Sequence, residues 1–133
     1  MTDKFVPYHQ HLLIKCWAKN PPKSEDVLNK WFIDLVHTVG MVVVAGPTSV
    51  YVNEPGNEGL TGTVTLATSH GSLHCWDQLS PAMIQFDLYS CKIFTLEQVI
   101  KCFEPWGLIS YSYVMIDRND NDFKIVSKGD VVL

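Results

Sequence analysis

Residues 61–89 read TGTVTLATSHGSLHCWDQLSPAMIQFDLY. Three runs within it, Thr61–Thr68, Ser72–Trp76 and Met83–Tyr89, are strand-like and are separated only by short polar breaks. Breaks of that length can reverse the chain but cannot carry a crossover helix, so the spacing predicts consecutive antiparallel strands. Upstream, residues 53–59 (NEPGNEG) are turn chemistry throughout and predict an exposed loop. Before that loop, Met41–Ala45 is short and β-branched, which predicts a strand buried on both faces and ended or bent by Pro47.

Working outward, two helices flank these strands. Ser24 is a good N-cap, with Glu25 and Asp26 where a helix dipole favours acids. From there Val27, Leu28, Trp31, Phe32, Leu35, Val36 and Val39 recur at intervals of three and four, one apolar stripe on a helix that ends near Gly40. Thr95 caps a second amphipathic segment, Leu96–Phe103, which Pro105 stops. His9–Trp17 reads as a first strand broken by Pro21-Pro22, and Gly107–Ile116 as a last long strand followed by a polar tail with a short apolar end. The order strand, helix, several strands, helix, strand predicts an α+β two-layer sandwich: one mostly antiparallel sheet with both helices on a single face.

The 133 residues fit one domain spanning 1–133, and 47% hydrophobic against 18% charged residues are ample for a core, which excludes intrinsic disorder. The net charge of −4 comes without a Lys/Arg cluster, so nucleic acid is not expected as a partner. The opening residues carry no signal pattern and the longest apolar run, Met41–Gly46, is far too short to cross a bilayer. The expectation is a soluble, cytoplasmic protein with no membrane partner. Cys16, Cys75, Cys91 and Cys102 lack CxxC spacing, so four reduced thiols are expected, three of them core filler.

Asp117, Asn119 and Asn121 begin a calcium-loop pattern, but Asp122 stands where its glycine belongs and Lys128 where its bidentate Glu belongs, so a solvated turn is expected. His9, His11 and His37 are expected to be structural or surface histidines. The densest chemistry lies in Thr68-Ser-His-Gly-Ser-Leu-His-Cys-Trp76. One reading makes His70, His74 and Cys75 metal ligands, completed by Asp87 or Cys91, although strand alternation sends His74 and Cys75 to opposite faces. The other makes a serine at a strand end a nucleophile, with a histidine to move its proton and Cys91 brought in from the next strand. The residues alone leave the two about even.

The run from Gly59 to Trp76, continued by Phe86-Asp-Leu-Tyr-Ser-Cys91, resembles the prokaryotic-type S-adenosylmethionine decarboxylases. Those enzymes show a G-x-[ST]-G strand, then E-S-H-x-x-x-H-T-W-P-E, then a strand ending in D-x-[FY]-[ST]-C. The resemblance extends loosely from His11 to about Ile116. It implies no metal and a pyruvoyl group derived from Ser69, made by autocatalytic cleavage of the precursor between Thr68 and Ser69. It also implies the catalytic set Ser69, His74 and Cys91: the serine becomes the pyruvoyl group, the histidine assists self-processing, and the cysteine returns a proton during decarboxylation. The group would take the substrate amine as a Schiff base and accept the electrons left by departing CO2. Thr61 falls on the hydroxyl position of the G-x-[ST]-G strand, and Thr61, Trp76, Gln78 and Lys15 are the implied substrate-binding positions. Phe5 and Tyr8 join Trp76 as aromatic candidates for an adenine bed. A homodimer of processed protomers and a role in spermidine biosynthesis are implied as well.

Three positions depart from the pattern. Thr68 and Gln78 each stand where the family has Glu, and Lys15 occupies a first-strand position that is usually acidic. Two extra residues also separate His74 from Cys91. S-adenosylmethionine is the expected substrate of this decarboxylase. A free amino acid with a primary amine and a carboxylate, such as arginine or ornithine, is one alternative, and an unprocessed homologue acting as a regulatory or binding partner is another.

Overall fold

The structure, a computed structural model, describes residues 9–119 and 121–133. Seven strands form one antiparallel sheet: β1 (Gln10–Ala18), β2 (Val43–Val52), β3 (Gly59–Leu66), β4 (Ser69–Trp76), β5 (Ala82–Ser90), β6 (Leu108–Asp117) and β7 (Lys124–Val132), in the spatial order β2-β3-β4-β5-β1-β6-β7. The helices α1 (Glu25–Thr38) and α2 (Leu96–Cys102) cover one face, giving the expected α+β sandwich. Among the described residues the other face carries no helix, and Leu13, Lys15, His70, His74 and Gln85 stand exposed on it.

Each helix starts where its cap predicts. The Ser24 hydroxyl accepts a hydrogen bond from the Val27 N–H at 3.2 Å, and Thr95 and Gln98 cap α2 reciprocally. Leu28, Trp31, Phe32, Leu35 and Val36 of α1 are buried, whereas Val27, at the edge of the apolar stripe, is half exposed. Trp31 anchors the layer. Its ring lies 4.7 Å from Trp106, 5.0 Å from Phe103 and 5.6 Å from Phe86, and its indole N–H donates to the Cys102 carbonyl at 2.7 Å. Aromatic pairs of this kind add about 0.5–1.5 kcal/mol each beyond burial.

Close approach of helix to sheet explains a glycine. A Cβ on Gly62 would lie 2.7 Å from Ser49 Oγ, 2.8 Å from Leu28 Cδ2 and 2.9 Å from Phe32 Cε2, so α1 packs directly over bare backbone.

Two expectations about strands are corrected. The segment expected as a strand buried on both faces is β2, an edge strand running on to Val52 with most of its residues exposed or half-buried. Pro47 lies inside it at a register shift between Ala45 and Thr48, which an edge tolerates because no further strand needs the missing donor. The expected polar tail contains β7, which closes the opposite edge against β6. Its sequence, KIVSKGDVV, lacks clean alternation, and it is stabilised by pairing rather than by burial.

Candidate active site

The turn between β3 and β4 holds the expected cleavage point. Leu66 pairs with Ser69, so Ala67 and Thr68 form a two-residue loop, and Ser69 is the first residue of β4 rather than part of a break before it. Thr68 adopts φ 58, a left-handed conformation that costs a β-branched residue about 1–3 kcal/mol. The strain therefore sits on the residue whose carbonyl would be attacked.

The pairing of β4 with β5, running from Trp76↔Met83 to His70↔Tyr89, carries Cys91 to the same end of the sheet. Residues 77–81 connect these two strands. Ser69 is 8% exposed. Its hydroxyl accepts from the Cys91 N–H at 3.1 Å and donates to Cys91 Sγ at 3.7 Å. Thr68 Oγ1 contacts the same sulfur at 2.6 Å and donates to the Ala67 carbonyl, also at 2.6 Å. The hydrogen bond from Thr68 lowers the Cys91 thiol below its ordinary value; those from Ser69 and the Cys91 backbone and the charge of Lys92 act in the same direction, against a smaller burial effect. Burial instead pushes Cys16 and Cys75 up to about 12 and raises Cys102, so these three thiols are inert filler as expected.

His74 lies elsewhere. Its Nδ1 is hydrogen-bonded to Thr61 Oγ1 at 3.1 Å, on the open face. Five residues of extended strand separate it from Ser69, about 16 Å at roughly 3.3 Å per residue, and Ser69 points to the opposite face. Thus Thr68, Ser69 and Cys91 come together, Thr61 and His74 come together, and the two groups do not meet within one chain.

The second group belongs to a row of side chains running across the sheet: Thr61, His74, Gln85, Lys15, Ser112 and Asp130, read directly from the strand register. Around the middle of this row is an open cleft of about 580 Å³, to which Lys15, His74, Asp87 and, from β7, Lys128 and Asp130 contribute. Lys15 makes no ion pair among the described residues; its Nζ lies 5.9 Å from the Trp17 ring. Trp76 holds the loop between β2 and β3 by donating to Asn57 Oδ1 at 3.0 Å. Gln78 is in the turn after β4, donating to Asp77 Oδ1 at 2.9 Å, and does not line the cleft. Phe5 and Tyr8 lie outside the described residues.

One cluster escaped the sequence reading. His11 Nε2 is 2.8 Å and His70 Nε2 3.9 Å from Asp87 Oδ2, and Ser72 donates a short hydrogen bond to the same carboxylate. Burial raises the Asp87 pKa, but the bonds from His11 and Ser72 and the nearby imidazoles outweigh it and hold the carboxyl below its ordinary value. The signal was the strand register, which places His11 beside Tyr89 and His70 on the other side of it. The three ligand atoms lie within 4.8 Å of one another, as in a metal site. However, Arg118 reaches His11 Nδ1 at 3.3 Å, which makes Nδ1 the acceptor and keeps the proton on Nε2, directed at Asp87. That is a hydrogen-bond network. The metal set considered from sequence is not assembled, since Cys75 is buried on the helix side and His70 and His74 are four residues apart along the exposed face.

The register, the serine–cysteine contact and the threonine–histidine pair lie at the positions that the motif occupies. A family model described as S-adenosylmethionine decarboxylase matches residues 10–117. The chain belongs to that family. The crystal structure of the adenosylmethionine decarboxylase from Aquifex aeolicus VF5 superposes with a TM-score of 0.68 over 89% of this chain and 96% of that one, at 14% identity, which shows the same fold. No curated protein matches the sequence. As a member of the S-adenosylmethionine decarboxylase family the chain is decarboxylase-like, and β7 lies beyond the residues the family model matches. No helix among the described residues is long and apolar enough to cross a membrane.

Proposed function

We propose that this chain is a pyruvoyl-dependent S-adenosylmethionine decarboxylase of spermidine biosynthesis, that it makes its own prosthetic group by cutting itself between Thr68 and Ser69, and that it acts as a homodimer. The observation that carries the reading is Ser69 at the head of β4, directly after a strained Thr68 and in hydrogen-bond contact with Cys91. The residues fit the group: the serine oxygen is held by the Cys91 N–H, and a thiol of lowered pKa stands beside the position where the substrate carbon would receive a proton. Once formed, a pyruvoyl group supplies an electron sink for the carbanion left by CO2.

The separation of the two groups supports the dimer. Stacking two open faces about a two-fold axis between the sheets and across the strands exchanges the two ends of each strand. His74 and Thr61 of the partner subunit then face the end that carries Ser69 and Cys91. In this arrangement the imidazole removes the Ser69 α-proton when the upstream chain is expelled, and Thr61 fixes its orientation. Four free cysteines, one of them needed as a thiol, suit the reducing cytoplasm.

Intact-mass spectrometry of the purified protein tests this reading. The expected result is two fragments divided between residues 68 and 69, the downstream one lacking a free α-amino group, together with CO2 release from S-adenosylmethionine. A single species of 15.0 kDa that persists on long incubation would exclude self-processing and favour a non-catalytic binding role. Release of CO2 only from arginine or ornithine would leave the mechanism and replace the substrate.

A further inference from the structure

Before Ser69 can attack the Thr68 carbonyl carbon its hydroxyl must lose a proton, and His74 of the same chain is about 16 Å away along the strand. The side-chain group in contact with that hydroxyl is the Cys91 sulfur, at 3.7 Å, while the Cys91 N–H holds the same oxygen at 3.1 Å. We propose that Cys91 acts as a thiolate base for the first step of self-cleavage and that Thr68, through its side-chain hydroxyl, is the positioning residue that holds it in that state. The proposal rests on the self-processing reading above and names the groups that start it.

The hydrogen inventory supports two states. With Cys91 as a thiol, its proton can be directed at Thr68 Oγ1 while the Thr68 hydroxyl donates to the Ala67 carbonyl. With Cys91 as a thiolate, the Thr68 and Ser69 hydroxyls both donate to sulfur, and the Cys91 N–H remains on Ser69 Oγ, where it stabilises developing alkoxide charge. The charged side chain acting on this sulfur is Lys92, which is tethered to the Gly40 carbonyl at 3.3 Å. A threonine at this junction thus puts a neutral donor against Cys91. A carboxylate in its place would repel the thiolate.

The step is an isomerisation that needs no co-reactant. The Ser69 hydroxyl proton moves to Cys91 Sγ, a bond forms between Ser69 Oγ and the Thr68 carbonyl carbon, and the bond from that carbon to the Ser69 nitrogen breaks. The proton on sulfur passes to that nitrogen, leaving an ester and a free amine of unchanged mass. The left-handed Thr68 places backbone strain next to the bond that breaks.

Freshly translated protein, sampled over time and treated with hydroxylamine after denaturation, tests the assignment, because hydroxylamine cuts the ester. Spontaneously split chain plus hydroxylamine-cut chain counts every molecule that has completed the first step, whatever happens later. Thr68→Val, which keeps the shape and removes the hydroxyl, should slow this sum by about tenfold to a hundredfold, the usual effect of losing a hydrogen bond to a charged group. Thr68→Ser should restore the rate to within a few-fold, and Cys91→Ala should slow it by roughly 10²–10⁴-fold. The wild-type rate should rise with pH through the Cys91 titration and level off, and in Thr68→Val the rise should move to higher pH. Unchanged rates in Thr68→Val and Cys91→Ala, or an unshifted pH profile in Thr68→Val, would overturn this proposal while leaving self-processing in place. Wild-type chain that forms neither ester nor fragments would overturn both.

Discussion

A His74→Ala chain retains its own Ser69, Cys91 and Thr68 but lacks the imidazole that a neighbour would need, whereas a Ser69→Ala chain retains the imidazole and has nothing to cut. Each variant alone should therefore remain unsplit. The reach argument makes the mixed case quantitative: five strand residues at about 3.3 Å place His74 about 16 Å from its own Ser69, several times a hydrogen-bond length, so rescue must come from another subunit. In a two-fold dimer assembled at random from equal amounts of the two chains, about half of the His74→Ala chains face a Ser69→Ala partner that supplies the imidazole. Co-expression followed by intact-mass spectrometry should show about half of the His74→Ala chains divided between residues 68 and 69, and raising the Ser69→Ala share should raise that fraction. His74→Ala splitting by itself at the wild-type rate would refute a role for the imidazole, and a mixture no more split than the variant alone would refute its delivery from a partner.

Substrate preference should follow the cleft. Lys15 lines it and Gln78 does not, so Lys15→Glu should raise kcat/KM by about tenfold for substrates with a side-chain cation, S-adenosylmethionine, arginine and ornithine alike, with Gln78→Glu changing it much less; the reverse ranking in a panel assay would place the substrate elsewhere. Gly62→Ala, whose Cβ meets three side-chain atoms at 2.7–2.9 Å, should cost about 1–3 kcal/mol and lower Tm by several degrees, and an unchanged Tm would mean that α1 yields freely. Asp87 has a lowered pKa in the folded chain, so its contribution is fully present above the unfolded value near 3.9 and is lost as pH falls through the folded value. In a Ser69→Ala background, where every chain is intact, Asp87→Asn should flatten the fall in Tm below about pH 4, and an equal slope in both proteins would remove Asp87 from the account.

The helices were legible because their signals are local. Ser24 and Thr95 cap them, and the apolar residues of α1 recur at the helical period, so its burial follows from the sequence except at Val27, where the stripe meets solvent. The edge strands were not legible. β2 combines a β-branched run with Pro47, and composition cannot distinguish a strand flanked on both sides from one that the fold leaves at a border; β7 has no periodic pattern because it buries little. The motif named the candidate residues but not which of them meet. Ser69 and His74 are five residues apart, an odd number, and along a strand an odd separation sends side chains to opposite faces. The sequence alone therefore allowed a nucleophile with a neighbouring histidine only if the segment were not a single strand.

Because β4 is one continuous strand from Ser69 to Trp76, the chemistry divides by face and by end. The serine, the cysteine and the strained threonine occupy one end, where a turn and the β4–β5 register bring them together. The histidine, its threonine partner and the cleft lie on the open face, a broad surface that no helix among the described residues covers. In the proposed mechanism a single protomer therefore holds the nucleophile with its local base, and separately an imidazole beside an open cleft. Placing two such protomers face to face satisfies both halves without moving any strand, which is why the dimer prediction and the Cys91 proposal can fail independently: one concerns what lies across the open face, the other what lies within hydrogen-bond reach of Ser69.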